Sequence, residues 1–185
     1  NDIHRLSQGC NLIYSLGENK LTVERFYNPE IRINSNISRG EAAEHFKELF
    51  FDSVRLQLRS DVEVGSCLSG GLDSSSIVCA VNQLLKNQKI SAYQNTFSAH
   101  FEEKEANELK YMQSVIQKTG VKAYFTFPTG NQLVDDLDKL IWHQDEPFGS
   151  TSIFSQWSVF KLINEHNVKV VLDGQGADEM LAGYL

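Results

Sequence analysis

An alternation of short apolar strands with apolar helices constrains the fold of this chain more than any other feature of its sequence. The predicted strands cover residues 62–68, 91–97, 122–127 and 168–172, and the predicted helices cover residues 74–85, 105–118, 132–142 and 152–164. This alternation with short connections is typical of an α/β fold, a parallel sheet with helices on both faces. Ligands of such sheets bind beyond the carboxyl ends of the strands, so the loops there are candidate sites. Two of them, after Leu68 and Leu172, have unusual sequences.

The segment ahead of this alternation has a different pattern. Two short alternating runs flank residues 16–19, which predicts a hairpin-like segment over residues 1–35. Apolar residues then recur at helical spacing, which predicts one long helix that ends near Arg59. The chain begins with an asparagine rather than a methionine and stops directly after a motif, so we expect a fragment of a longer protein.

Composition and charge bound the class of protein. The 185 residues are 41% hydrophobic, which is enough for one domain with a sizeable core. A net charge of −7 gives no electrostatic support for binding nucleic acid or an anionic membrane, and no apolar run approaches the length of a membrane span. The cysteines Cys10, Cys67 and Cys79 lack metal-ligand spacing, which favours a reducing, cytoplasmic setting. Cys67 and Cys79 lie in apolar stretches, so we expect both to be buried.

The loop after the first predicted strand of the sheet suits a phosphate group. Gly70 and Gly71 let the backbone come close to a ligand, and the serines of residues 74–76 begin a helix whose free N–H groups favour an anion. Asp73 is reasonable there if it holds Mg²⁺ against phosphate oxygens. The alternative is an ordinary turn in which Asp73 or Ser74 caps the helix. The whole run in this context favours the phosphate site.

The loop after the last predicted strand is also rich in glycine and acid. Residues 173–179 read Asp-Gly-Gln-Gly-Ala-Asp-Glu and lead into a short helical stretch. Although Asp178 lies far along the chain from Asp73, both follow carboxyl ends of strands in the inferred sheet, where they could share Mg²⁺ and hold pyrophosphate. Alternatively, Asp178 and Glu179 merely complement the dipole of the helix.

These two loops carry a family resemblance. The first lacks the lysine of a Walker A loop and differs from the G-x-G-x-x-G of dinucleotide sites. It resembles the S-G-G-x-D-S loop of the PP-loop ATP pyrophosphatases, which have an adenine nucleotide alpha hydrolase-like fold and cleave ATP between its α and β phosphates. With G-Q-G-A-D-E at residues 174–179 and G-Y at residues 183–184, the chain resembles glutamine-dependent asparagine synthetase.

The resemblance implies a two-step reaction. The side-chain carboxylate of aspartate attacks the α-phosphorus of Mg-ATP to give an acyl-adenylate and pyrophosphate, and ammonia from glutamine then displaces AMP to form an amide. Residues 1–35 would link to a missing N-terminal glutaminase domain of the same polypeptide, and residues 36–185 would be the ATP-binding part of the synthase domain, truncated at its C-terminus. The family also allows a homodimer, and we expect the fragment alone to be inactive.

The resemblance assigns roles residue by residue. The positions that would cradle the pyrophosphate are Ser69, Gly70, Gly71, Ser74 and Ser75, and those that match ATP contacts are Leu68, Ala99, Asp173 and Gly174. Asp73 and Asp178 would hold Mg²⁺, and Glu179 would support the loop or the waters of the metal. Together with Gln175 these three form the implied catalytic set.

Three positions depart from the pattern of the family. Gln175 stands where some synthetases have a glutamate, and an amide can donate and accept hydrogen bonds but cannot act as a base. Asp173 replaces a serine of some members, and His100 stands where a smaller residue is expected. A homologue that forms another amide, by β-lactam formation or peptide cyclisation, is therefore an alternative. A non-catalytic nucleotide-binding module is a second alternative, and the presence of both Asp73 and Asp178 argues against it.

Overall fold

The computed structural model describes residues 4–87, 94–101, 108–181 and 183. By the contacts between its residues, the chain divides into two compact units, Asn1–Ala43 and Glu44–Leu185. None of the helices in the described part of the chain is long and apolar enough to cross a membrane.

The first unit contains the predicted hairpin. Strand β1 (Cys10–Ser15) pairs with strand β2 (Lys20–Arg25) in antiparallel fashion across the turn at residues 16–19. Because side chains alternate along a strand, the pairs Leu12 with Val23 and Tyr14 with Leu21 share one face. The hairpin predicted for the start of the chain is confirmed.

The second unit contains a four-stranded sheet in the order β5-β4-β3-β6, with every pair of neighbours parallel. The long helix α1 (Arg39–Gln57) precedes the sheet. The elements that follow α1 are β3 (Val64–Cys67), α2 (Leu72–Asn87), β4 (Asn95–Ala99), α3 (Leu109–Thr119), β5 (Lys122–Thr126), α4 (Gly130–Gln144), α5 (Ser152–Glu165), β6 (Val170–Leu172) and α6 (Ala177–Leu181). The parallel sheet predicted from the alternation is confirmed.

Helices cover both faces of this sheet, as predicted. On one face, Phe97 of β4 packs with Val159 and Ile163 of α5. On the other face, Leu172 of β6 packs with residues of α1 and α2, and Leu68 packs with residues of α2 and α3. Val171 and Leu172 of β6 show the alternation, because Val171 packs with the cluster on the α5 face and Leu172 packs with the cluster on the opposite face.

Some boundaries and one burial prediction differ from the structure. The strand predicted from residue 62 begins at Val64, because Val62 is exposed, and the strand predicted from residue 168 begins at Val170. The predicted starts at residues 91 and 105 lie outside the described residues. The prediction that Cys79 is buried is wrong, because α2 turns Val78 into the core and the next residue onto its exposed side.

Candidate functional site

The two unusual loops begin side by side at the carboxyl edge of the sheet. Strands β3 and β6 are parallel neighbours, with Ser66 opposite Leu172, so the loops that follow them leave the same edge. The first loop leads into α2 and the second into α6. This is the edge at which ligands of parallel sheets bind.

The first loop is folded around the hydroxyl of Ser74. The Oγ atoms of Ser69 and Ser74 share a hydrogen bond of 2.9 Å, and the backbone N–H of Ser69 donates to Ser74 Oγ at 3.2 Å. The N–H of Gly71 donates to Ser69 Oγ at 3.2 Å, and Ser74 Oγ donates to the carbonyl oxygen of Gly71 at 3.3 Å. Ser74 is buried, so its hydroxyl holds the loop in shape from the inside.

Gly70 has a backbone conformation that this loop needs. Its φ of +91° lies in the left-handed region, and a Cβ there would lie 3.0 Å from the carbonyl oxygen of Glu108 and 3.3 Å from Cγ of Met112. Glycine alone meets both conditions without strain. The sequence analysis singled out Gly70 for the close approach of a ligand. The positions of Glu108 and Met112 also require a glycine there.

The start of α2 offers donors to an anion. The N–H of Ser75 donates to the carbonyl oxygen of Gly71 at 3.1 Å, and this bond begins the helical ladder. The N–H groups of Leu72, Asp73 and Ser74 therefore precede the ladder, at the positive end of the helix dipole. Such an end suits a phosphate, and the acidic Asp73 within it suits a cation bound to that phosphate. These residues fit the phosphates of ATP with Mg²⁺.

The second loop touches the start of α2 through Gly174. A Cβ on Gly174 would lie 3.0 Å from the backbone nitrogen of Ser74 and 3.1 Å from Cβ of Asp73. Asp73, Asp173, Gly174 and Gln175 also line one cavity of about 820 Å³, whose remaining wall comes from α1, α2, Leu172 and α6. The structure thus brings the two loops together, because the strands that they follow are neighbours in the sheet.

Cys67, which sequence reasoning treated only as a buried side chain, contacts this second loop. It is the last residue of β3, and the register places it beside Asp173. Burial raises the pKa of the Cys67 thiol to about 12, and the negative charge of Asp173 and a hydrogen bond to its side chain add to this effect. The thiol therefore stays protonated at neutral pH and can donate to the carboxylate of Asp173. Its position two residues before the S-G-G motif was the only signal in the sequence.

Asp178 and Glu179 lie in the first turn of α6. The carboxylate of Asp178 lies against the backbone of Gly183, whose N–H donates to the carbonyl oxygen of Asp178 at 3.0 Å. Among the described residues, no three His, Cys, Asp or Glu side chains are grouped closely enough to hold a metal ion by themselves. Sharing of Mg²⁺ by Asp73 and Asp178, with phosphate oxygens as further ligands, stays a prediction.

The other predicted positions lie along the same edge of the sheet. Leu68 is buried directly after β3, and Ala99 is the last residue of β4. His100 follows Ala99, donates its backbone N–H to the carbonyl oxygen of Thr126 at 2.9 Å and meets the ring of Phe127 edge-on. The larger side chain at position 100 is therefore accommodated by the end of β5. Tyr184 of the G-Y pair lies outside the described residues.

Comparison with known proteins finds one matching family and several relatives. The family model described as asparagine synthase matches residues 45–185. The chain is 34% identical over 182 residues to a putative glutamine-hydrolysing asparagine synthetase 2 of Methanocaldococcus jannaschii. This match covers 98% of this chain and 34% of that protein. It is 33% identical over 138 residues to the glutamine-hydrolysing asparagine synthetase 1 of Bacillus subtilis, covering 75% of this chain and 21% of that protein. An amidase, chyE, of Penicillium rubens is 24% identical over 156 residues, covering 80% of this chain and 23% of the amidase. The chain thus spans about a third or less of the length of these relatives.

Proposed function

The chain belongs to the asparagine synthase family, and from this premise we propose that it is the nucleotide-binding part of an ATP-dependent ligase that forms amides. The observation that carries the proposal is the contact of Gly174 with the first residues of α2. That contact joins a phosphate-binding helix start to the acidic loop after the neighbouring strand. A ligase that releases pyrophosphate needs both, anion donors for the phosphates and carboxylates for their counter-ion.

In this proposal, the first loop and the start of α2 bind the β and γ phosphates of ATP. Ser69, Gly70, Gly71, Ser74 and Ser75 form the cradle, in which the hydroxyl of Ser74 shapes the loop. Leu68, Ala99, Asp173 and Gly174 contact the remainder of the nucleotide.

Asp73 and Asp178 would hold Mg²⁺, and Glu179 would support the loop after β6 or the waters of the metal. A bound Mg²⁺ would neutralise charge on the phosphate oxygens and favour the departure of pyrophosphate. Gln175 faces the same cavity as Asp73, where its amide can orient the activated carboxyl by hydrogen bonds without acting as a base.

The finer assignment is asparagine formation. The acceptor would be aspartate, and the ammonia would come from glutamine through a glutaminase domain of the same polypeptide, to which residues 1–35 connect. The setting would be the cytoplasm, and the complete protein would be a homodimer. The named synthetases among the relatives support this assignment.

A second candidate is a ligase that forms a different amide. Asp173 and Gln175 favour it, because both differ from residues found in some asparagine synthetases and both line the cavity beside Asp73. The two candidates share the activation of a carboxylate by ATP and differ in which carboxylic acid is activated.

The exchange of labelled pyrophosphate into ATP by the complete polypeptide tests both the reaction class and the acceptor. We expect exchange that depends on aspartate and Mg²⁺, and Asp73→Asn should lower its rate by at least about 100-fold. Asp135→Asn, which changes an exposed carboxylate on α4, is the matched control and should keep the wild-type rate. Exchange with another acid only would favour the second candidate, and no exchange with any acid would contradict the ligase.

A further inference from the structure

The first peptide group of the phosphate loop is held by side chains at both of its ends. The carbonyl oxygen of Leu68 accepts a hydrogen bond of 2.6 Å from the hydroxyl of Ser98, and the N–H of Ser69 donates to Ser74 Oγ at 3.2 Å. These two atoms belong to one planar peptide group, so fixing both ends fixes the orientation of the plane. The loop therefore leaves the sheet in one direction.

Leu68 is also attached to β4 through its backbone. Its N–H donates to the carbonyl oxygen of Phe97 at 2.9 Å, although β3 itself ends at Cys67. The side chain of Ser98 extends this attachment by one more group, from the end of the strand to the start of the loop. Leu68 and Ser98 are each about 1% exposed, so water does not compete for this hydrogen bond.

We infer that Ser98 is a positioning residue for the phosphate-binding loop, an inference that rests on the proposed function. Its hydroxyl orients the peptide between Leu68 and Ser69, and Ser74 passes that orientation on to the start of α2. Ser98 is too deeply buried to reach a nucleotide, so it acts through the loop and does not contact the substrate. The sequence analysis gave it no role, because a serine within a strand has no signal of its own.

Removal of the hydroxyl has a defined consequence. In Ser98→Ala, the carbonyl group of Leu68 loses this partner within the core, and the peptide group can rotate about its remaining attachment. The backbone N–H groups of the loop then point away from the phosphate site for part of the time. A loop that must be ordered by the ligand binds that ligand more weakly.

The test compares wild type, Ser98→Ala, Ser98→Thr and Ser158→Ala in the complete polypeptide. Ser158 is the matched control, because it is a buried serine in α5 whose hydroxyl donates to the carbonyl oxygen of Phe154 at 2.9 Å. Hydrogen exchange of a peptide covering residues 68–75 reports on the loop directly. Titration with Mg-ATP and with magnesium pyrophosphate reports on binding, and steady-state exchange kinetics separate KM from kcat.

We expect Ser98→Ala to speed hydrogen exchange in the loop and to weaken Mg-ATP and magnesium pyrophosphate binding by about twofold to tenfold, the factor for one hydrogen bond. The KM for ATP should rise while kcat stays close to wild type, whereas a purely structural defect would lower kcat through loss of active protein. Ser98→Thr, which keeps the hydroxyl, should restore both readouts, and Ser158→Ala should change neither.

The inference is overturned if folded Ser98→Ala has the loop exchange and the ligand affinity of wild type. If Ser98→Ala does not fold, Ser98→Cys replaces it, because a thiol is a weaker donor and should give intermediate loop exchange and affinity. Wild-type values in Ser98→Cys would then overturn the inference. Failure of the wild-type protein to bind either ligand would contradict the proposed function. Hydrogen exchange of the loop in Ser98→Ala would still test whether Ser98 orients the loop, so the two failures are distinguishable.

Discussion

At the scale of single residues, the first loop depends on a backbone conformation that glycine adopts without strain. Gly70 combines a φ of +91° with the close approach of Glu108 and Met112. Any other side chain would face both a torsional and a steric cost. The two costs act on the loop that we propose binds phosphate, so stability and binding should change together.

Gly70→Ala should lower the free energy of unfolding by about 1–3 kcal/mol, measured by urea denaturation. Gly130→Ala is the matched control, because Gly130 begins α4 and a Cβ there would contact nothing within 4 Å. The control should be as stable as wild type or slightly more stable. Equal stability of the two variants would show that the conformation of Gly70 carries no cost for other residues.

Cys67 provides a second prediction at the residue scale. Burial, together with the charge and hydrogen bond of Asp173, raises the pKa of its thiol to about 12, so below that pH the reactive thiolate is scarce. At pH 8 iodoacetamide should alkylate native Cys67 at least roughly tenfold more slowly than the exposed Cys79. Mass spectrometry of peptides from a time course measures both rates in one sample.

Asp173→Asn is the informative variant for this prediction. It removes the negative charge beside the thiol but leaves the burial, so the pKa of Cys67 should fall and its alkylation should quicken. The rate at Cys79 serves as the internal control. Alkylation of Cys67 as fast as that of Cys79 in the wild-type protein would contradict the raised pKa of the Cys67 thiol, and an unchanged rate in Asp173→Asn would contradict the contribution of Asp173.

At the scale of elements, α4 is joined to α5 by one acidic side chain. Asp136 accepts hydrogen bonds from Lys161 Nζ at 2.7 Å and from Trp157 Nε1 at 3.3 Å. The hydrogen bond from Lys161 is the main cause that lowers the pKa of Asp136. The ionised carboxylate therefore favours the packed helix pair.

The sign of this shift sets a pH dependence. A lowered pKa in the folded state means that the stabilisation is present above the pKa of the unfolded chain, about 3.9, and is lost as the pH falls through the folded pKa. Asp136→Asn should therefore be less stable than wild type at pH 6, and the difference should shrink towards pH 3. Urea denaturation across this range measures it.

Asp138→Asn is the matched control for the helix pair, because Asp138 is an exposed acidic residue two positions along α4. Its difference from wild type should be smaller at pH 6 and should change less with pH. If both variants followed the same pH dependence, the effect would belong to the net charge of the helix and not to the contact with α5.

At the scale of the whole molecule, ligand binding should raise the stability of the folded state. A ligand that binds only the folded state stabilises it by mass action, by about 2.7 kcal/mol when its free concentration is about 100 times Kd. The complete polypeptide should therefore melt at a higher temperature with Mg-ATP than with ATP and EDTA. Differential scanning fluorimetry measures the shift.

Variants at the two proposed metal ligands separate metal binding from nucleotide binding. Asp73→Asn and Asp178→Asn should each reduce the part of the shift that depends on Mg²⁺, because each removes one proposed ligand of the ion. Asp135→Asn should keep the full shift. Equal melting temperatures with Mg-ATP and with ATP and EDTA would argue against a metal ion at this edge of the sheet.

The sequence predicted the elements well because their signals are local. Apolar runs bounded by glycine and polar residues indicated the strands β3, β5 and β6, and helical spacing indicated α1. It failed at Cys79, because an apolar neighbourhood does not say which side of a helix faces the core. It also gave Ser98 and Cys67 no role at the site, because their contacts are with other strands.

The sequence by itself determined the parallel α/β sheet, the hairpin and the two glycine-rich acidic loops, since each follows from periodicity or from residues adjacent in the chain. Only the tertiary structure decided the strand order, which makes β3 and β6 neighbours and sets Gly174 against Asp73. It likewise decided that Ser98 holds the carbonyl group of Leu68 and that Cys67 lies beside Asp173. These contacts join residues far apart in sequence, and the packing of the sheet, not any local pattern, brings such residues within hydrogen-bonding distance.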